Sequence, residues 1–359
     1  MNIYSDGVRY RNFTEAKVQI RMGTLARRFV FTAATRGIKD VPFYCGMPIQ
    51  IWDDNDRLLT GYIEKMTMQS NGKGHSYVLE GRDLIGDVVD SNLPRIAKMT
   101  APLPQLCEFV LNYLGIEANV IDEALTGERP FKTVIAADPT ETAGEFLATQ
   151  ARRKQVLLQS DGFGNIVITA AGGRKVDRQL INRIDGVGNN MLSASLTVDH
   201  SQRYGRYSTE LQINMSMVSK ANLNTRPELI VAERFQTVDD SIRQSRVRTT
   251  AADYNLGKDE AKLRNLWEIA LNRAEAVKYS VTVPGFRDSV NNNLWEVNTL
   301  PTVTDEYNGI KSDRMLIAQI EHVFNQDGKT TNLLLTDKDA FKTELKIRTE
   351  IDIDGRNQT

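Results

Sequence analysis

One short pattern occurs twice in this chain, and it constrains the fold more than any other feature. Gly72-Lys73, five residues, Leu79, then Arg82-Asp83 is repeated as Gly328-Lys329, five residues, Leu335, then Lys338-Asp339, with a constant spacing of 256. The first copy reads as a hairpin turn, Asn71-Gly72-Lys73-Gly74, and a strand, with Tyr77 and Leu79 alternating against Val78 and Glu80. Gly81 lets the backbone leave the ladder. Asp83 then has the position of an N-cap for a short apolar helix through Leu84, Ile85, Val88 and Val89. The entering strands also correspond, Ile63 with Ile317, if the second arm is two residues longer. An even insertion keeps inward and outward faces in phase. Two related β-domains, one near each end, follow as the expectation. Gly81, Arg82, Asp83, Lys338 and Asp339 are their shared structural motif.

The rest of the chain divides around these copies. Residues 1–97 form the first β-domain, with Ala16–Met22 and Met47–Trp52 as alternating strands. A proline-bearing linker leads into an α+β unit over 98–172. There Leu106, Val110, Leu111 and Leu114 share a helix face ending at Gly115, and Thr142 with Glu145 makes a capping box. Residues 173–215 and 279–342 form the second β-domain. It is interrupted by a helix-bearing insertion, 216–278, whose stripe is Leu263, Leu266, Trp267, Ala270, Leu271, Ala274 and Val277. The fold class expected is therefore mixed β and α+β: two related small β-barrel-like domains, an α+β domain and a helix-bearing insertion. The final segment, 343–359, is charged yet regular. Leu345, Ile347, Thr349, Ile351 and Ile353 alternate with charged residues, the signature of a half-buried strand with no partner inside its own domain.

Composition excludes several classes. A formal net charge of −1, with both signs interspersed, gives no basic surface for sequence-specific nucleic-acid binding. Cys45 and Cys107 lie far apart without histidine neighbours, which argues against a disulfide framework or a zinc site. No apolar run approaches ~18 residues, and the start lacks a charged-then-apolar leader. A chain folded in a reducing cytoplasm, without a membrane segment, is expected.

Catalytic patterns are missing as well. His75, His200 and His322 stand apart from one another, beside turns or in a strand, and read as solvated or packed side chains. Gly328-Lys329-Thr330 fails as a phosphate loop, because Val323 stands where the loop needs glycine. Asp161-Gly-Phe-Gly164 is a hairpin turn. Acid pairs such as Asp53/Asp54 and Asp239/Asp240 are of the kind that turns and solvated faces supply. No enzyme activity and no cofactor are expected.

Three motifs together resemble a known family. Glu80-Gly-Arg-Asp-Leu-Ile-Gly-Asp87 after a first β-domain is one. The Trp-bearing helix followed by Tyr279-Ser-Val-Thr-Val-Pro-Gly-Phe-Arg287 is the second, and Leu294-Trp-Glu-Val-Asn298 the third. They are similar to the baseplate hub proteins of Mu-like contractile-tailed phages, in the late-control-D and type VI secretion spike superfamily. The resemblance implies a homotrimer in the virion baseplate, assembled in the bacterial host cytoplasm. Six similar modules from three chains would adapt a sixfold tail tube to a threefold central spike. It implies as partners the tail tube protein and a separate spike protein, since the chain stops at Thr359 without a spike of its own. Leu345, Ile347, Ile351 and Ile353 would then add a strand to the spike or to a sister subunit. A tail-associated cell-wall hydrolase and a monomeric carbohydrate-binding module are the alternatives.

Overall fold

The computed structural model describes residues 1–10, 13–35, 42–71, 74–94, 101–128, 131, 135–138, 140–170, 172, 174–210, 234–251 and 258–340. They fall into two compact units. Met1–Val198 with Val277–Lys338 makes the first, and the second is built on Asp199–Ala276.

In the first unit the N-terminal strands are β1 (Asn2–Ser5), β2 (Val8–Tyr10), β3 (Glu15–Arg21), β4 (Arg28–Thr35), β5 (Pro48–Asp53), β6 (Asp56–Asn71) and β7 (Gly74–Asp83). Helices α1 (Gly86–Asp90), α2 (Leu103–Leu114) and α3 (Ala143–Lys154) follow, interspersed with β8 (Val120–Asp122), β9 (Val156–Ser160) and β10 (Ile166–Ala170). Strands β11 (Arg174–Asn182) and β12 (Ser193–Val198) come next. The unit resumes after the second one with β16 (Val277–Pro284), β17 (Thr299–Asp305), β18 (Ile310–Asn325) and β19 (Gly328–Asp337).

The strands form where the sequence alternates. Ala16, Val18 and Ile20 on β3, Phe29 and Phe31 on β4, and Ile49 and Ile51 on β5 all turn inward and are buried. Each large apolar side chain so buried contributes about 1.5–3 kcal/mol. The second half buries Tyr279, Val281, Ile317, Ile320, Leu333 and Leu335 in the same manner. The α+β unit has its own core of Leu103, Leu106, Val110, Phe146, Leu147, Ile166 and Ile168. Its helix ends are those the sequence predicts. Gly115 closes α2 in the left-handed conformation at φ 68°, and Thr142 and Glu145 cap α3 reciprocally.

The order of strands shows how the two halves are related. One sheet runs β12-β16-β19-β18-β3-β4-β7-β6-β5-β1-β2, with β17 pairing β18 and β11 pairing β17. Read outward from β3, the first half is β3-β4-β7-β6-β5. Read from β12, the second is β12-β16-β19-β18-β17, the same order of corresponding strands. The hairpins match in detail: Asn71 pairs with Gly74 and Asn325 with Gly328, a constant shift of 254. Each carries one bulge at the same place, with Glu64 extra between Ile63 and Lys65, and Ala318 extra between Ile317 and Gln319. The repeat spacing of 256 expected from sequence is therefore corrected to 254, and the arms are equal in length. Asp83 corresponds to Asp337 rather than to Asp339. The two spacings differ by an even number, so every face assignment survives the correction. The correspondence stops at the outermost strand, since β1 runs antiparallel to β5 while β11 runs parallel to β17.

The halves are β-rich, as expected, but they do not close as separate barrels among the described residues. The reason is an edge. The outer side of β3 is taken by β18, in an antiparallel register from Gln319 opposite Arg21 to Phe324 opposite Ala16. That pairing satisfies the edge amides and carbonyls of both strands, so closure of either half on itself is unnecessary. The joint is reinforced by ion pairs between the halves, Lys329 Nζ to Asp53 Oδ1 at 2.8 Å and Arg287 to Asp56.

The second unit has strands β13 (Arg206–Glu210), β14 (Arg234–Val238) and β15 (Val247–Ala251), with β13 central, and helix α4 (Lys258–Ala276). Helix α4 is present as predicted, and Trp267, Ala270 and Ala274 of its predicted stripe are buried. Leu263 is exposed, and Ala261, Asn265 and Ile269, outside that stripe, are buried as well. Asn265 shows how. Its Oδ1 accepts from Thr209 Oγ1 at 2.7 Å and its Nδ2 donates to the Phe235 carbonyl at 2.9 Å, so a polar side chain enters the interior fully paired.

Candidate assembly surface

The predicted motif residues are structural anchors. Gly81 does not leave the ladder. It stays within β7, opposite Phe29 on β4 and Ile63 on β6. Glycine is needed there because a Cβ would lie 2.0 Å from the Tyr62 carbonyl oxygen and 2.6 Å from the Phe29 ring. Arg82 reaches out from the same strand to Glu64, the bulge residue, at 2.9 Å, and to Asp90 at the end of α1. Those hydrogen bonds hold the Asp90 carboxyl below the usual carboxylate range and raise the Arg82 guanidinium.

Asp83 is buried and ties three segments together. Its Oδ2 accepts from the Arg27 backbone amide at 2.9 Å and from the Ser160 hydroxyl, and its Oδ1 accepts from the Ile85 amide at 3.2 Å. Arg27 continues the cluster by donating to the carbonyls of Ser160 (3.0 Å) and Leu58 (2.7 Å). Burial pushes the Asp83 carboxyl up to about 6, against the pull of these donors. The N-cap expected at Asp83 falls instead on Ile85, which has no side-chain cap. Asp83 makes a turn just before the helix, and its other oxygen is spent on the α+β unit.

The second copy lacks this anchor. Lys338 makes an ion pair with Asp313 at 3.3 Å in an exposed position, and Asp339 is exposed. Asp337, the true counterpart of Asp83, is exposed too. Only the first copy carries the α+β unit, so only it needs a buried carboxylate to hold one. Leu345, Ile347, Ile351 and Ile353 lie outside the described residues.

Sequence reasoning missed Arg27 and Ser160, while His322, read as a solvated or packed side chain, is packed at the joint. His322 is fully enclosed on β18. Its ring packs on Phe286 at 4.8 Å, and its Nδ1 lies 3.1 Å from Thr331 Oγ1. Burial, with the fields of Arg27 and Arg287, pushes its pKa down to about 3. No cluster of three or more potential metal ligands occurs among the described residues. No described helix is long and apolar enough to cross a membrane.

What remains is surface, and it includes open strand edges, of which β12 and the outer part of β6 belong to the repeated halves. Strand β12 ends the sheet with one neighbour, β16. Strand β6 pairs with β5 from Asp56 to Tyr62, and Ile63 exchanges backbone hydrogen bonds with Gly46 and Met47; beyond Ile63 its outer half has no strand partner on that side among the described residues. Met68 and Val198 are exposed there.

Comparison with known proteins shows what this chain is similar to. Residues 257–344 match the family model of the Mu phage baseplate assembly protein GpP, fourth domain. The chain is 22% identical over 287 residues to the baseplate hub protein gp44 of Escherichia phage Mu, covering 79% of this chain and 73% of that one. The fold is similar to the 43 kDa tail protein of prophage MuSo2 from Shewanella oneidensis, with a TM-score of 0.80, 24% identity, and coverage of 94% and 98%. It is also similar to the E. coli c3393 protein, a type VI secretion system component, with a TM-score of 0.56, 10% identity, and coverage of 94% and 77%. The proteins it is similar to are thus phage tail and baseplate hub proteins, with a type VI secretion component among the structures that share its fold. The resemblance read from the Glu80–Asp87 motif is borne out as a likeness: the chain is similar to hub and tail proteins of Mu-like phages.

Proposed function

We propose that three copies of this chain form a ring in the virion baseplate, joining a sixfold tail tube on one face to a threefold central spike on the other. The observation that carries this reading is the repeated strand order within one chain. Two corresponding β-halves per chain give six corresponding modules in a trimer, and one ring then offers sixfold and threefold contacts without a mismatched interface. Its partners are two further copies, the tail tube protein and a separate spike protein. Its work is done by surfaces and it has no catalytic role, in keeping with the structural relatives. Assembly takes place in the bacterial host cytoplasm.

The alternating segment Leu345, Ile347, Thr349, Ile351 and Ile353 adds a strand to the spike or to a sister subunit. Truncation after Lys342 tests this part. The shortened chain is expected to lose spike in a pull-down or to change its mass on sizing. Unchanged mass together with unchanged spike affinity would remove the segment from the account. The ring itself is tested by adding the purified chain to polymerising tube protein. A ring on one end of each tube, seen by electron microscopy, is the expected image, and bare tube ends would contradict it.

A further inference from the structure

The geometry points to the contact that links one chain to the next: the outer half of β6 pairs antiparallel with β12 of a second copy, with Thr67 opposite the partner subunit's Thr197. This inference rests on the ring reading and specifies which edges meet and in which register.

The internal repeat alone leads to it. Within one chain the halves are joined where β18 of the second meets β3 of the first. The strand corresponding to β18 is β6, by the shift of 254 that aligns hairpins and bulges. The strand corresponding to β3 is β12. Ala16 pairs with Phe31 and Phe31 with Leu79; Ala194 pairs with Val281 and Val281 with Leu333. Leu79 and Leu333 differ by the same 254, so Ala16 corresponds to Ala194, Val18 to Leu196 and Ile20 to Val198. Among the described residues each of these two strands has an open edge, β12 along its length and β6 beyond Ile63, as β2 and β11 also do. A chain that joins its second half to its first through β18 and β3 has, at its two ends, the other halves of the same joint.

Side chains at the edges fit this transfer. At the internal joint His322 is 1% exposed and Ile20 9%; their counterparts Met68 and Val198 are 63% and 59% exposed. Each pair occupies one position in one fold, and the difference is the missing neighbour strand. Transferring the register sets Met66 against the partner subunit's Val198 and Met68 against the partner subunit's Leu196. Both contacts are apolar and lie on the core face. An intramolecular contact repeated between molecules is head-to-tail, and with the rotation that the ring reading supplies it closes without a second kind of interface. Unpaired apolar strand edges otherwise invite aggregation, and pairing them removes that hazard.

Disulfide trapping tests the register, because directly opposed residues meet the ~4.4–6.8 Å Cα separation that a disulfide needs and residues slipped by two do not. In a Cys45→Ser background, Thr67→Cys with Thr197→Cys is compared with Gln69→Cys with Thr197→Cys, and with each single variant, in the full-length protein. Mass is measured before oxidation. The expected result is a three-chain particle in which only the first pair shifts the denatured, non-reduced band from one chain to two and three. A three-chain particle that the first pair does not link, or that the slipped pair links instead, overturns the pairing and leaves the ring intact. A one-chain mass overturns the ring, and the pairing with it.

Discussion

Met68 and His322 occupy the same position in two copies of one bulged hairpin, yet Met68 faces solvent while His322 is sealed between Val18 on β3 and the Phe286 ring. The difference lies in what each has for a neighbour, since the backbone around them is the same. A charge at position 68 should therefore harm assembly and spare the fold. Met68→Glu is expected to shift the particle toward single chains in sedimentation at micromolar concentration, with an unchanged thermal transition for the single chain. Met68→Leu should leave the mass as it was. Undiminished mass in the Met68→Glu protein would show that this edge stays open.

His322 gives the joint a pH dependence of predictable sign. Its folded pKa is depressed, to about 3, from an ordinary value of 6.5. The contribution it makes is present above about pH 6.5 and is lost as pH falls toward 3, because the unfolded chain takes up the proton first. The groups facing it are the Thr331 hydroxyl and the Phe286 ring, with Arg27 and Arg287 adding positive field and, among the described residues, no carboxylate acting on it. Between pH 7.5 and 4.5 the wild type should lose more stability in urea than His322→Gln. Parallel losses would mean that the ring is not held neutral.

Asp83 should matter beyond the ~1 kcal/mol of a lost helix cap. Asp83→Ala leaves the Ser160 hydroxyl and the Arg27 amide without their acceptor and the Arg27 guanidinium without its counter-charge. Removing one partner of such a buried set costs about 3–5 kcal/mol. Chemical denaturation of the two proteins measures the difference, and a loss of only about 1 kcal/mol would reduce Asp83 to a turn residue.

These three residues also mark what the sequence could disclose. The hairpins, the Thr142 capping box, the Gly115 stop and the alternation of Ala16, Val18 and Ile20 are local patterns, and periodicity reports local patterns. The repeat was visible through Gly72 and Gly328, but glycine and lysine recur in any turn. The pairing of Asn71 with Gly74 and of Asn325 with Gly328 was needed to move the spacing to 254. The burial of Asn265 on α4 escaped because periodicity counts it as polar and so as exposed, whereas its partners Thr209 and Phe235 are distant in sequence. The Arg27–Asp83–Ser160 cluster and the β3–β18 joint escaped for the same reason. They join residues far apart in the chain, and no spacing encodes that.

The central claim is that the repeated halves exist to build a ring, and solution mass tests it most directly. Light scattering on the eluting full-length protein at micromolar concentration should return three chains of 40.4 kDa. A particle of one chain, persisting as concentration rises, would contradict the account.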